Sequence, residues 1–267
     1  MSTHANAVDP ALEPLVSDSF DAGVRYLTLN RPAQFNPLSE EMLATLIAKL
    51  NDCEQDPKVR VVVLGANGRA FCAGHDLRQM RANHDQDYYQ RLFETCTQLM
   101  RGIVGLSKPV IARVQGLATA AGCQLVATCD LAVSLRSARF AVSGVNLGLF
   151  CSTPSVALSR NVARKRAFEM LITGEFIDAD TARDYGLINR IADDEAGLDA
   201  AVAQLTDAIL SKPAVAVETG KRMFYRQIEN DLESAYAYAG EVMACNMMAP
   251  DTVEGVDAFL EKRPPRW

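Results

Sequence analysis

The 267-residue sequence has little of what metal and triad chemistry needs. It holds three histidines (His4, His75 and His84) and one tryptophan. A Ser-His-Asp triad therefore has few possible centres, and only His75 stands in a loop with functional promise. Cys72 and His75 form one C-x-x-H with no second ligand pair, so no metal site is expected. Neither G-x-x-x-x-G-K-[ST] nor a G-x-G-x-x-G after a strand occurs, which excludes the two standard phosphate cradles. A G-x-S-x-G elbow and an H-E-x-x-H helix are also missing. No apolar run reaches the ~18 residues that span a membrane.

Positive charge is in deficit. Lys and Arg number 27 against 33 Asp and Glu, a net charge of −6, which argues against a chain-wide footprint for nucleic acid or an anionic membrane. The seven cysteines are an odd number scattered through apolar stretches. That pattern suits a reducing compartment better than a disulfide framework. The first twenty residues are polar, mildly acidic and free of Arg. They match neither a secretory signal nor a transit peptide, so a cytoplasmic location and a loose tail over 1–19 are expected.

Hydrophobic residues make up 49 % and charged residues 22 % of the chain, ordinary for a folded domain. Val24–Asn30 alternates and reads as a strand. Ser39 is a suitable N-cap for a helix to about Glu54, with Glu40 and Glu41 in its first turn. Stretch 59–64 is nearly all apolar and reads as a strand buried on both faces, 109–114 reads as another buried strand, and 130–135 is again strand-like. A long helix is predicted from about Asp85 to Val104, and helical periodicity dominates from Ser155 onward. Strand-then-helix order predicts an α/β core over 20–205, largely parallel, followed by an all-helical region over 206–267.

Two loops carry the chemistry. One is Phe71-Cys72-Ala73-Gly74-His75-Asp76-Leu77; the other runs from Gly116 to Leu125 and opens a helix. Both follow buried strands and are depleted of bulk. Small residues let a ligand approach the backbone closely. Amides at a helix N-terminus are unsatisfied donors at the positive end of the dipole. Two such donors aimed at one oxygen make an oxyanion hole. Tight strand–helix packing also calls for Gly and Ala, so spacing alone leaves both readings open.

Several spaced motifs resemble the crotonase (enoyl-CoA hydratase/isomerase) superfamily. They are Asn30-Arg31-Pro32, Asn36, the 71–77 loop, Pro109-Val110-Ile111-Ala112, Ala121-Gly122-Cys123-Gln124-Leu125 with Cys129-Asp130, Leu171–Glu175, and Phe259–Arg263. Gly74–Leu77, Gly116–Leu125 and Asn146–Pro154 further resemble one subgroup of it. The resemblance implies a spiral of β-β-α repeats with a C-terminal helical region used in trimer assembly, trimers commonly pairing into hexamers. It implies a lyase or isomerase acting on acyl-CoA thioesters, with the CoA thioester as substrate and no further cofactor.

By position, the resemblance assigns the oxyanion-hole amides to His75 and Ala121. It places CoA against Ala33, Gln34 and Phe35, with Arg69 and Lys262 near the phosphates and Phe259 near adenine. Ala73, Gly74, Asp76, Leu77 and Gly122 complete the expected binding segments. Typical hydratases carry two glutamates at the positions held here by Gln124 and Gly144. Gln does not titrate near neutral pH and Gly has no side chain, so the usual acid–base pair is missing. Other groups weighed for that work are the His75 side chain, Cys151, Tyr88, Asp85 and Asp87. Decarboxylation or isomerisation, and acyl-CoA binding without turnover, stand as alternatives to hydration. Met80, Leu92, Leu99 and Leu147–Pro154 are the expected walls of the acyl site.

Overall fold

The computed structural model describes residues 13–267. Strand β1 (Val16–Asp21) pairs antiparallel with β2 (Val24–Leu29), in register Val16↔Leu29. Thus 16–19 are not a loose tail. Val16 is buried, and Asp18 holds Arg25 of β2 and Lys49 of the following helix, α1 (Glu40–Gln55). The rest of that expected tail, 1–12, lies outside the described residues. Ser39 caps α1, its hydroxyl accepting the Met42 N–H at 3.2 Å.

The chain then repeats a strand–strand–helix turn. The first repeat is β3 (Val61–Ala66), β4 (Ala70–Cys72), α2 (Leu77–Ala82) and α3 (Gln86–Gly105). The next is β5 (Val110–Val114), β6 (Leu117–Thr119) and α4 (Ala121–Thr128). It is followed by β7 (Leu131–Leu135), β8 (Arg139–Ala141), α5 (Ser152–Asn161) and α6 (Arg164–Thr173). The core ends with β9 (Ile177–Asp178), α7 (Ala179–Tyr185), β10 (Arg190–Ala192) and α8 (Glu195–Leu210).

Long strands collect in a six-stranded sheet of order β1-β2-β3-β5-β7-β10, parallel from β2 onward. Short strands form a second sheet, β4-β6-β8-β9. Every residue of β3 is buried, and alternation divides its work. Val62 and Leu64 join Leu43 and Leu46 of α1 and Leu99 and Ile103 of α3. Val61 and Val63 face the opposite way, toward Leu198 and Val202 of α8. A strand covered on both faces has no polar side to show, which is why it reads as a continuous apolar run.

The helical region comprises α9 (Ala214–Gln227), α10 (Leu232–Met247) and α11 (Pro250–Leu260). The expected boundary at 205/206 falls inside α8, which is continuous and buries Leu198, Val202 and Thr206, so all of α8 belongs to the core. Lys221 ties α9 back to that core. Its buried ammonium donates to the Ile103 and Lys108 carbonyls, both at 2.9 Å, and to Asp130 Oδ2 at 2.6 Å. By contrast α10 buries nothing, and Met243, Met248, Phe259 and Leu260 stand exposed on α10, α11 and the turn between them.

Candidate functional site

Strands β4 and β6 lie side by side and parallel, in register Cys72↔Ala118. Their C-terminal ends therefore emerge together, and the two loops singled out in the sequence meet there. Gly122, in the first turn of α4, lies against β4, where a Cβ would collide with the Cys72 carbonyl. Gly74 has φ +94, and a Cβ there would sit 3.0 Å from Ala120 Cβ and 3.3 Å from the Ala121 nitrogen. The turn that presents His75 is thus packed directly on the turn that presents Ala121.

The second turn is strained. Ala120 adopts φ 51, ψ −121, in a region that costs a non-glycine residue on the order of 1–3 kcal/mol. Its N–H is held by the Ala141 carbonyl at 2.9 Å, on β8. Helix α4 begins immediately after it, so the Ala121 N–H has no intrahelical acceptor. Among the described residues neither the Ala121 nor the His75 N–H donates a hydrogen bond. Leu38 holds the first turn in place, donating its N–H to the Gly74 carbonyl at 2.8 Å.

Both residues border a cavity of about 260 Å³. Ala73 and Leu77 from the first loop, Ser143, Gly144 and Cys151 line it as well. The remaining wall is Met80, Phe93, Ala120, Leu147 and the stretch from Leu149 to Pro154. Of the residues expected as walls of an acyl site, Met80 and most of Leu147–Pro154 line this cavity, and Leu92 and Leu99 do not. Those two point into the core, and the α3 residue that reaches the cavity is Phe93. One position along a helix turns the side chain by about 100°, enough to exchange core for cavity. The aromatic pair Tyr89/Phe93, beside the Leu92/Cys96/Leu99 stripe, was the available signal.

His75 is half-buried, with Nδ1 3.3 Å from the Leu38 carbonyl and its ring edge-on to Phe93, centroids 5.5 Å apart. Burial pulls its pKa below the ordinary value of 6.5, so the ring is neutral at pH 7. The Leu38 contact then assigns the proton to Nδ1, and Nε2 is a buried acceptor with no partner among the described residues.

Gly144 opens a tight loop. Its N–H donates to Cys151 Sγ at 3.3 Å, and its carbonyl accepts the Leu149 N–H at 3.0 Å. A Cβ at 144 would lie 2.5 Å from the Leu149 carbonyl oxygen and 2.7 Å from Cys151 Sγ. Cys151 itself is buried, which pushes its thiol pKa up and keeps it protonated. Gln124 is buried one turn into α4, outside the cavity lining, with Oε1 unpartnered among the described residues.

Other candidates fall elsewhere. Asp85 caps α3 by accepting the Tyr88 N–H at 2.9 Å, Asp87 sits in the first turn of α3, and Tyr88 Oη is 3.5 Å from Glu40; none lines the cavity. Asp76 caps α2, accepting from Arg78 and Gln79 N–H. Ala33 and Gln34 lie exposed on a short 3-10 turn, and the Arg69 guanidinium stacks over the Phe35 ring at 4.4 Å. Asn36 joins that turn to β4. It accepts the Arg31 N–H and donates to the Asn67 and Ala70 carbonyls at 2.9 and 2.8 Å. Phe259 and Lys262 are exposed and border no part of the cavity. Ser143, whose hydroxyl meets Thr119 Oγ1 at 2.9 Å, lines the cavity without having been singled out.

Fold and site geometry can be set beside known proteins. Residues 19–267 match the enoyl-CoA hydratase/isomerase family. The chain belongs to that family. It is 43 % identical over 254 residues to the mitochondrial enoyl-CoA hydratase domain-containing protein 3 of Xenopus laevis, covering 95 % of this chain and 86 % of the relative. This agrees with the subgroup resemblance drawn from Gly74–Leu77, Gly116–Leu125 and Asn146–Pro154. The crystal structure of human enoyl-CoA hydratase domain-containing protein 3 superposes with a TM-score of 0.92 at 41 % identity, covering 95 % of this chain and all of that one. An enoyl-CoA hydratase crystal structure from Mycobacterium smegmatis gives 0.94 at 60 % identity, over 96 % and 99 % of the two chains.

The expectation of a cytoplasmic location needs correction. The relatives from Xenopus laevis, Rattus norvegicus, Mus musculus and Homo sapiens are all named mitochondrial, which points away from the cytoplasm. Scattered unpaired cysteines call only for a reducing environment and do not distinguish one reducing compartment from another.

Proposed function

We propose that this family member binds an acyl-CoA and holds its thioester carbonyl oxygen between the N–H groups of His75 and Ala121. The observation that carries this reading is the pair of unengaged amides on two abutting turns, both bordering an apolar cavity. The α4 dipole adds positive potential at Ala121. As the oxygen gains charge toward an enolate, both bonds strengthen, so the site favours the transition state over the ground state. Losing one donor of this kind typically costs ~10²–10³-fold in kcat.

The CoA portion lies along Ala33, Gln34 and Phe35, with Arg69 as the local cation that offsets a net charge of −6. Phe259 and Lys262 border no part of the cavity of their own chain. They serve a neighbouring subunit in a homotrimer or a hexamer, an assembly that covers the exposed apolar face of α10 and α11. The thioester is the substrate, and the reading requires no further cofactor.

Hydration through two carboxylates is not part of this proposal. Position 124 offers an amide, position 144 offers no side chain, and among the described residues neither a carboxylate nor a cation lines the cavity. What remains is chemistry driven by enolate stabilisation, such as decarboxylation or double-bond migration. A [1-13C]acyl-CoA tests the central claim: the carbonyl resonance should move downfield on binding. A bound thioester with an unshifted carbonyl would sink it. Assays on crotonyl-, 3-enoyl- and methylmalonyl-CoA then separate turnover from binding alone.

A further inference from the structure

Building on the acyl-CoA reading above, we infer that the acyl group taken by this site is uncharged and apolar to its end, roughly six to ten carbons long, and that Leu149 and Phe150 set this preference. Charge comes first. Among the described residues no Asp, Glu, Lys or Arg lines the cavity. The Ser143 hydroxyl is engaged with Thr119 and the Ser152 hydroxyl with the Phe150 carbonyl, while the free His75 Nε2 is an acceptor and offers a carboxylate no proton. A carboxylate at the far end of an acyl chain would be stripped of water and given no cation, an expensive arrangement.

Exposure comes second. Leu77, Leu147, Leu149 and Phe150 all border the cavity, yet they are 55 %, 70 %, 50 % and 42 % exposed. Large apolar side chains clustered this way mark a surface that a ligand covers. An acyl chain lying against them removes apolar area from water on both sides.

Size comes third. An apolar cavity of ~150 Å³ accommodates benzene, so one of about 260 Å³ takes roughly ten non-hydrogen atoms. The Gly144–Cys151 loop is held by its own hydrogen bonds and fixes one wall of that volume. Within that limit each added methylene is worth at most about fourfold in affinity.

Calorimetry on the full chain with CoA, acetyl-, hexanoyl-, octanoyl-, dodecanoyl- and adipyl-CoA tests this. Affinity should rise at least tenfold from acetyl- to octanoyl-CoA and gain nothing further at dodecanoyl-CoA. Adipyl-CoA should bind at least tenfold more weakly than hexanoyl-CoA. Leu149→Arg should reverse the hexanoyl/adipyl order, and Phe150→Ala should cut the octanoyl advantage, with circular dichroism confirming that both variants fold. Affinity independent of chain length, a continued gain at dodecanoyl-CoA, or adipyl-CoA binding as tightly as hexanoyl-CoA would overturn the inference. If CoA and every thioester fail to bind, the acyl-CoA reading falls with it, a result distinct from the preceding ones.

Discussion

Replacing Gly144 by Ala tests whether the missing side chain at this position is a packing requirement. The new Cβ would lie 2.5 Å from the Leu149 carbonyl oxygen and 2.7 Å from Cys151 Sγ. Even favourable C–H···O contacts hold carbon and oxygen ~3.3–3.6 Å apart, so the Leu149 backbone must retreat by about 0.8 Å. That backbone is not free to move, since the Leu149 N–H is bonded to the Gly144 carbonyl and the Gly144 N–H to Cys151 Sγ. Overpacking of this kind typically costs ~1–3 kcal/mol. At ~2–4 °C per kcal/mol for a chain of this size, Tm should fall by roughly 3–10 °C.

Gly102→Ala is the matched control. Gly102 lies inside α3, and its Cβ would meet nothing within 4 Å. Removing an exposed helix-interior glycine stabilises by up to ~1 kcal/mol, so Tm should rise. Differential scanning fluorimetry of both variants reads the contrast. Cys151→Ala in the Gly144→Ala background should recover only part of the loss, because the Leu149 oxygen remains. A Gly144→Ala variant that melts within about 1 °C of wild type would refute the packing account.

Three further outcomes follow from burial and backbone geometry. His75 titrates below 6.5 in the fold, so its contribution to stability is present above 6.5 and is lost as pH falls through 6.5 toward the folded pKa. Urea melts of His75→Gln should therefore show a shallower acid-side loss than wild type, and an imidazole that NMR finds titrating at or above 6.5 would contradict this. Lys221→Met leaves the half-buried Asp130 without its cation and should cost up to about 3–5 kcal/mol in urea unfolding. Ala120→Gly relieves a positive φ, a conformation that costs a non-glycine residue on the order of 1–3 kcal/mol. It should melt no lower than wild type, whereas most glycines introduced into ordered segments lower Tm.

The long strands were legible because burial on both faces leaves a continuous apolar run, as in 59–64 and 109–114. Strands β4, β6 and β8 are three residues each, too short for a period of two to show. β1 was hidden for a different reason. Ser17, Asp18 and Ser19 read as tail, and only the pairing of Asp18 with Arg25 and Lys49 makes their polarity part of the sheet. At the site, the two glycine-bearing loops were visible as depletion of bulk, but which residue of α3 reached the cavity depended on the rotation of that helix. Phe259 and Lys262, expected near the CoA, stand exposed and border no part of the cavity.

Positions 124 and 144 are not simply two carboxylates away from a hydratase. Gln124 is buried, and its Oε1 has no partner among the described residues. Gln124→Glu would put a carboxyl group where desolvation raises its pKa, so it would stay protonated and could give a proton but not take one from water. Gly144→Glu fails earlier, because its first side-chain carbon collides with the loop that forms the cavity wall. The two substitutions therefore fail for different physical reasons, one in protonation state and one in packing. A Gln124→Glu/Gly144→Glu protein should bind acyl-CoA more weakly than wild type and should not hydrate crotonyl-CoA. Hydration by a stably folded double variant would show that the Leu149–Cys151 loop yields at little cost. The amides of His75 and Ala121 face no such conflict: they are backbone groups at the ends of paired strands, set by Gly74 and Gly122 rather than by any side chain. The fold thus builds the amide pair, while a carboxylate is opposed by desolvation at position 124 and by packing at position 144.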